Sequence, residues 1–202
     1  MRNKSLLIGC SIGAVILLIV FLVFSYGVSK YNQLVSLNEE VNKAWSQVEN
    51  QYQRRYDLIP NLVETVKGVA NFEKETYIAV TEARAKVGQI QITPQMLEDP
   101  QAFERFQAAQ DNLSSALSRL LVAVENYPQL KANENFLQLQ AQLEGTENRI
   151  SVERKRFNEA VQNFNTAIKR FPTNIIAGMF GFKEKQYFKA VTGAETAPKV
   201  QF

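Results

Sequence analysis

The sequence predicts an all-α fold: an N-terminal transmembrane helix that continues into an elongated antiparallel helical bundle of three to four long helices. Three observations carry this. Leu6 to Phe24 is an uncharged run, apolar but for Ser11. Apolar residues beyond it recur with helical spacing for most of the chain. Phe136, Leu143, Ile150, Phe157, Phe164 and Phe171 fall every seven residues, the spacing of a coiled-coil-like seam. No segment shows the two-residue alternation of a half-buried strand.

The anchor comes first. No charged residue lies between Ser5 and Ser29. At about 1.5 Å per residue, the run from Leu6 to Phe24 matches the roughly 30 Å of bilayer hydrocarbon. Leu7-Ile8-Gly9-Cys10 has the look of a lipidation box, but only Leu6 to Gly9 provides apolar sequence before the cysteine, too little for a signal peptide. Ser25-Tyr26-Gly27 makes a poor cleavage site, so a retained span is expected. Arg2 and Lys4 precede the span, whereas Lys30 stands against Glu39 and Glu40 after it. Cytoplasmic flanks collect Lys and Arg, so the amino terminus is expected inside and the large domain outside the cytoplasm. The expected division is a tip at 1–5, a span at 6–24, a bundle at 25–182 and a weakly structured tail at 183–202. The expected location is the bacterial cytoplasmic (inner) membrane, with the domain periplasmic.

The first bundle helix shows one apolar stripe through Leu34, Leu37, Val41, Trp45, Val48, Tyr52, Ile59, Leu62 and Val66. Pro60 lies inside it and predicts a kink rather than a stop, because the stripe keeps its phase to Val69. Gly68 and Asn71 mark a hinge, after which Thr76, Val80, Ala83 and Val87 extend the pattern, leaving one helix or two open. The stretch 88–100 has two prolines and a glycine and reads as a connection. A further helix starts near Asp99 or Pro100, buries Phe103, Phe106, Leu113, Leu117, Leu120 and Val124, and breaks at Tyr127-Pro128. The heptad ladder predicts a helix about 40 residues long, ended by Pro172, with Ile175 to Phe182 forming one or two apolar turns.

Charges interrupt two of these seams. In sevenfold register with Leu34, Val41, Val48, Leu62 and Val69 stands Arg55. The second stripe of the last long helix reads Glu147, Arg154, Val161, Ile168. A charge inside a bundle is costly unless paired, so Arg55 is expected to reach Glu147 or Glu153 across the bundle, the alternative being groove-edge side chains that snorkel to water. Asn158 and Asn165, seven apart, share one face. Trp45, the single tryptophan, is expected as a core or interface anchor.

The composition excludes several classes of function. With Arg2 and Lys4 set aside, the 23 basic residues fall to 21 against 20 acidic ones, a poor balance for neutralising nucleic-acid phosphates. There is no His and one Cys, so the commonest metal ligands, the commonest acid–base group and intrachain disulfides are missing. No phosphate-cradling glycine loop or nucleophile–base pair occurs, and neither an enzyme activity, a cofactor nor a small-molecule substrate is expected.

Tyr31 to Val69, then Phe72-Glu73 and Ala83-Arg84, resemble a signature of the bacterial LemA family. Glu134-Asn135-Phe136, the run LQLQAQLEGTENRISVERKRFNEAVQNFNTAIKRFP and the closing Ala197 to Phe202 are similar to its second signature and tail. The resemblance implies a bacterial single-pass membrane protein with a helical-bundle domain and no assigned catalytic residue. It also implies an envelope setting, with another membrane protein such as a protease as a partner. The resulting expectation is a non-catalytic scaffold, held in the bilayer by residues 6–24 and assembling as a homo-oligomer. The alternative is a lipid-binding or membrane-remodelling protein whose Ile175, Ile176, Met179, Phe180 and Phe182, with the run Lys183 to Lys189, contact a bilayer.

Overall fold

The computed structural model describes residues 2–69 and 72–189, with side chains from residue 12 onward. The elements in order are α1 (Arg2–Lys67), α2 (Lys74–Gly88), a 3-10 turn (Pro94–Glu98), α3 (Pro100–Val124), the short α4 (Pro128–Lys131), α5 (Glu134–Lys169) and α6 (Thr173–Phe180). No strand occurs among the described residues. The chain divides into two compact units: Met1–Glu40 with Gln162–Glu184, and Val41–Val161 with Lys185–Phe202. Helices α1 and α5 each contribute to both.

In the larger unit, α1, α2, α3 and α5 form an up-down-up-down bundle. The order follows from cross-helix pairs. Trp45 meets Phe157 while Arg55 meets Glu147, so α1 and α5 are antiparallel. Trp45 meets Phe103 while Arg55 meets Gln110 and Ser114, so α1 and α3 are parallel. Lys67 lies over Tyr77 and Arg84 over Tyr56, which sets α2 antiparallel to α1. The core at the α1–α2 turn collects Ile59, Leu62, Val66, Phe72, Val80, Leu113, Leu117, Leu120, Leu130 and Phe136.

Helix α1 passes through Pro60 without ending, and the reason is local. Proline has no N–H to give the carbonyl four residues back, which is Tyr56 O. Arg84 of α2 supplies the missing donor, its Nε reaching Tyr56 O at 3.1 Å with the guanidinium 3.7 Å from the Tyr56 ring centroid. The bond lost to proline thus becomes a tie between two helices. The break between α1 and α2 falls after Lys67, so the segment the stripe left open is two helices. Asn71 of the expected hinge lies outside the described residues.

Helix α3 starts where its signals place it. Asp99 Oδ1 accepts from the N–H groups of Gln101 (2.9 Å) and Ala102 (3.2 Å), and Pro100 takes the first helical position, where a missing N–H costs nothing. Asn133 Oδ1 does the same for Phe136 N at the start of α5 (3.1 Å).

One expectation is refined and two need correction. The connection after Gly88 contains the 3-10 turn, whose Met96 and Leu97 are buried. Phe171 does not continue the heptad ladder: α5 ends at Lys169, the seven-residue phase is lost with it, and Phe171 is 81% exposed. Residues 183–189, expected as the start of a weakly structured tail, have no regular secondary structure, yet Lys185 and Phe188 are buried. The rest of that tail, and the tip residue Met1, lie outside the described residues.

In the smaller unit, residues 12–24 of α1 expose apolar side chains on all sides; Leu17, Phe21 and Phe24 are among the most exposed. This is one helix long and apolar enough to cross a membrane. Helix α6 ends at Gly181, whose φ of +74° is the left-handed conformation that glycine adopts without a side-chain clash. Phe182 N then donates to Ala177 O at 3.0 Å, closing the helix end.

Candidate functional site

Arg55 is the one charged residue in the apolar register of α1, and it is 1% exposed. Its Nη1 donates to Ser114 Oγ (2.6 Å) and to Glu147 Oε1 (2.6 Å). Its Nη2 donates to Gln110 Oε1 and, at 3.5 Å, to Gln110 O. The guanidinium carbon lies 5.1 Å from the Tyr52 ring centroid. Nε is buried with no hydrogen-bond partner. One guanidinium therefore links α1, α3 and α5. Its desolvation is offset by one charged and several neutral acceptors, and the 38% exposure of Glu147 lets the carboxylate keep part of its hydration.

The other charges on the seam find different partners. Arg154 Nη1 reaches Asp111 Oδ1 at 3.3 Å, and its guanidinium carbon lies 4.4 Å from the Phe188 ring centroid. Glu153, one of the two acceptors considered for Arg55, instead pairs with Arg156 at 2.7 Å on its own helix. Gln110, Ser114 and Asp111 were not expected as partners from the sequence. Gln110 left a signal, because it stands in phase with Phe103, Phe106, Leu113 and Leu117 on the buried stripe of α3.

About ten residues away along α1 the same helices build an aromatic cluster. Trp45 packs on Phe103, Phe106, Phe157 and Phe188 with ring centroids 5.3 to 6.1 Å apart. Phe188 comes from the extended segment after α6, and five backbone hydrogen bonds and one ion pair hold that segment down. Asn158 Nδ2 donates to Phe188 O and Phe188 N donates to Asn158 Oδ1, both at 2.9 Å. Gln107 makes the same double contact with Lys189, at 2.9 and 3.1 Å. Gln186 N donates to Leu97 O at 2.8 Å, and Lys185 Nζ pairs with Glu98 Oε1 at 2.7 Å. Two side-chain amides thus stand in for the neighbouring strand that an extended backbone would otherwise need. Asn165, which shares the face of Asn158, is buried in the smaller unit.

Titration here is governed by burial. The Tyr52 hydroxyl is pushed up to about 12, because burial disfavours the phenolate more than the positive charges of Arg154 and Arg55 favour it. It is therefore a neutral phenol at physiological pH. Glu49 is raised from the ordinary carboxylate value by burial, opposed by a hydrogen bond with Trp45. Neither group adjoins a nucleophile, and the described residues contain no group of three or more His, Cys, Asp or Glu able to hold a metal ion. An open groove of about 610 Å³ between α2 and α3 is lined by Ala79, Ala83, Ala108, Ala109, Glu82 and Arg105, a mixture of small and solvated side chains. What the seam can do is fix helix register: a guanidinium with this many directional bonds satisfies them in one alignment only.

The second neighbourhood is the α6 surface in the smaller unit. Ile175, Met179 and Phe180 are exposed, whereas Ile176 and Phe182 are half-buried. Phe182 packs on Phe164 at 6.1 Å and on Tyr31 at 6.0 Å, and Phe180 packs on Tyr31 at 4.6 Å.

Comparison with known proteins places these features in a family. A family model described as LemA family matches residues 44–202. Magnetosome protein MamQ of Magnetospirillum gryphiswaldense is 28% identical over 183 residues, covering 83% of this chain and 67% of the relative. Magnetosome protein MamQ 1 of Paramagnetospirillum magneticum is 27% identical over the same length and shares. Protein LemA of Metamycoplasma hominis is 27% identical over 163 residues, 81% of this chain and 70% of the relative.

Proposed function

This chain belongs to the LemA family, and on that premise we propose that it is a membrane-anchored, non-catalytic scaffold of the bacterial cell envelope that associates with copies of itself. The observation that carries the reading is α1. Its residues 12–24 present bare apolar surface in every direction, and the same helix continues to Lys67, where it supplies Trp45 and Arg55 to the bundle core. A side-chain surface of this kind is stable only in lipid or against another protein.

The polar seam supports a structural role over a chemical one. Arg55, Glu147, Arg154 and Asp111 are spent on each other and on helix alignment, and Tyr52, the strongly shifted group among the described residues, is held neutral. Two of the relatives carry the name magnetosome protein, which is not the name of an enzyme. The span is assigned to the inner membrane with its amino terminus in the cytoplasm, from Arg2 and Lys4 on one side and Glu39 and Glu40 on the other. Partners include another copy and a second envelope membrane protein such as a protease.

Crosslinking in intact cells followed by mass spectrometry tests the scaffold reading. Crosslinks between copies, or to a recurrent envelope protein, are expected. A chain that yields neither, and that also runs as a monomer in lipid nanodiscs, overturns it. A Ser115→Cys variant labelled by an impermeant maleimide in spheroplasts tests orientation: labelling before lysis places the bundle outside the cytoplasm, and labelling only after lysis reverses the topology.

A further inference from the structure

We infer that α6 and the residues flanking it form a membrane-contacting foot, seated in the headgroup layer of the leaflet from which α1 emerges. The inference rests on α1 being a membrane span, and it assigns a specific surface and a specific occupant, the lipid headgroups.

The depth of α6 is set by α1 within the same compact unit. The uncharged apolar run ends at Phe24, and Tyr26 follows with its ring exposed and Lys30 lying 5.6 Å from the ring centroid. A tyrosine beside a lysine at the end of an apolar run is the pairing found where a helix leaves hydrocarbon, because the ring suits the boundary and the ammonium reaches the headgroups. From Tyr26 to Tyr31 is five residues, about 7.5 Å of helix. The headgroup layer on each side of a bilayer is about 5–7 Å thick. Tyr31 therefore stands at the outer edge of that layer, and the Phe180 ring, 4.6 Å from it, stands beside it.

The side chains that α6 and the residues before it expose are the wrong ones for water. Phe171, Ile175 and Met179 recur every fourth residue, and with Phe180 they are 54 to 81% exposed. The opposite face of α6 is the one that packs, with Thr173 and Ala177 buried. An exposed apolar face on a short helix whose other face packs is the pattern of an interfacial segment, which turns that face toward the lipid. The charges agree. Around this surface the chain carries Lys30, Lys169, Arg170 and Lys183, against Glu184, which is paired with Lys169 at 2.7 Å. That basic excess complements anionic lipid headgroups and would repel a basic partner.

The test uses the full chain with Cys10→Ser, reconstituted at high lipid-to-protein ratio in vesicles of phosphatidylethanolamine and phosphatidylglycerol. An environment-sensitive fluorophore is attached in turn at Met179→Cys, at Leu18→Cys in the span and at Ser115→Cys in the larger unit. Quenching is read with lipids carrying a spin label near the headgroup or deep in the acyl chain. The expected result is severalfold stronger quenching at Met179 than at Ser115 by the shallow label, with Leu18 quenched most by the deep one. Met179 quenched no more than Ser115 while Leu18 responds overturns the foot and leaves the anchor intact. A Met179 probe shielded from aqueous iodide yet unresponsive to labelled lipid overturns it in favour of a protein cover, such as a second copy. Failure of all three sites to respond to lipid overturns the anchor and the foot together.

Discussion

The aromatic layer at Trp45 and the polar layer at Arg55 are built on the same three helices, about 15 Å apart along α1, and they solve the packing problem in opposite ways. At Trp45 five rings fill the space without directional demands, so several small adjustments of register are tolerated. At Arg55 the acceptors on Gln110, Ser114 and Glu147 must all be in place at once. The first layer supplies stability through burial, and the second supplies alignment at little net gain in stability.

The largest effect that would sharpen this contrast is expected from Phe157→Ala. The ring is fully buried among Trp45, Phe103 and Phe188. Its loss should cost about 3–5 kcal/mol, read as a lowered midpoint in denaturant titration. A cost below about 1 kcal/mol would mean that the cluster collapses around the gap and is not the stabilising layer.

Next comes Glu147→Ala, which leaves the Arg55 charge buried without its carboxylate. A fully buried pair broken in this way costs about 3–5 kcal/mol, and the partial exposure of Glu147 reduces the expectation to about 2 kcal/mol. Replacing both partners, Arg55→Met with Glu147→Leu, should recover most of that loss. The double variant should also broaden the amide spectrum of the bundle, because alternative registers become accessible. If it is both stable and spectrally as sharp as the parent, the alignment role assigned to the polar layer is wrong.

Asn158→Ala removes both bonds to the Phe188 backbone and should cost about 1–2 kcal/mol. Its sharper readout is local: amide exchange at Phe188 and Lys189 should accelerate before that of α3 and α5. Uniform acceleration throughout the unit would mean that the segment opens only with global unfolding.

The smallest effect at neutral pH belongs to Tyr52→Phe, since the hydroxyl is buried without a hydrogen-bond partner. Its contribution appears in alkali. The native hydroxyl titrates near 12 and the unfolded one near 10, so the stability tied to the neutral phenol is fully present below pH 10. It is lost as pH rises from about 10 to about 12, an amount on the order of 2–3 kcal/mol. The phenylalanine variant should lack that part of the alkaline decline, as followed by thermal unfolding across this range.

Much of this molecule was legible in its sequence, for reasons that are physical. An apolar run as long as a bilayer is thick allows few alternatives, and sevenfold spacing on two long segments allows only packed helices. Asp99-Pro100 marks a helix start because a carboxylate satisfies free N–H groups while proline has none to waste. Arg55 stood out because a charge in an apolar register demands partners. Which partners it took was decided by tertiary structure. Glu147 and Glu153 were both in reach of sequence reasoning, and Glu153 went to Arg156 because the helical three-residue spacing brings that pair together at the surface.

The end of the chain shows the limit most clearly. Nothing in the periodicity of residues 183–189 announces a buried segment, because an extended strap without a helical or strand repeat leaves no periodic trace. Phe188 is core only because Asn158 and Gln107 lie where their amides can take up its backbone bonds, and their positions exist only once α3 and α5 are packed. The sequence by itself determined the helical class, an apolar helix long enough to span a membrane, and the unusual charge. The three-dimensional packing decided who answers that charge, which phenylalanines are covered and which are left bare.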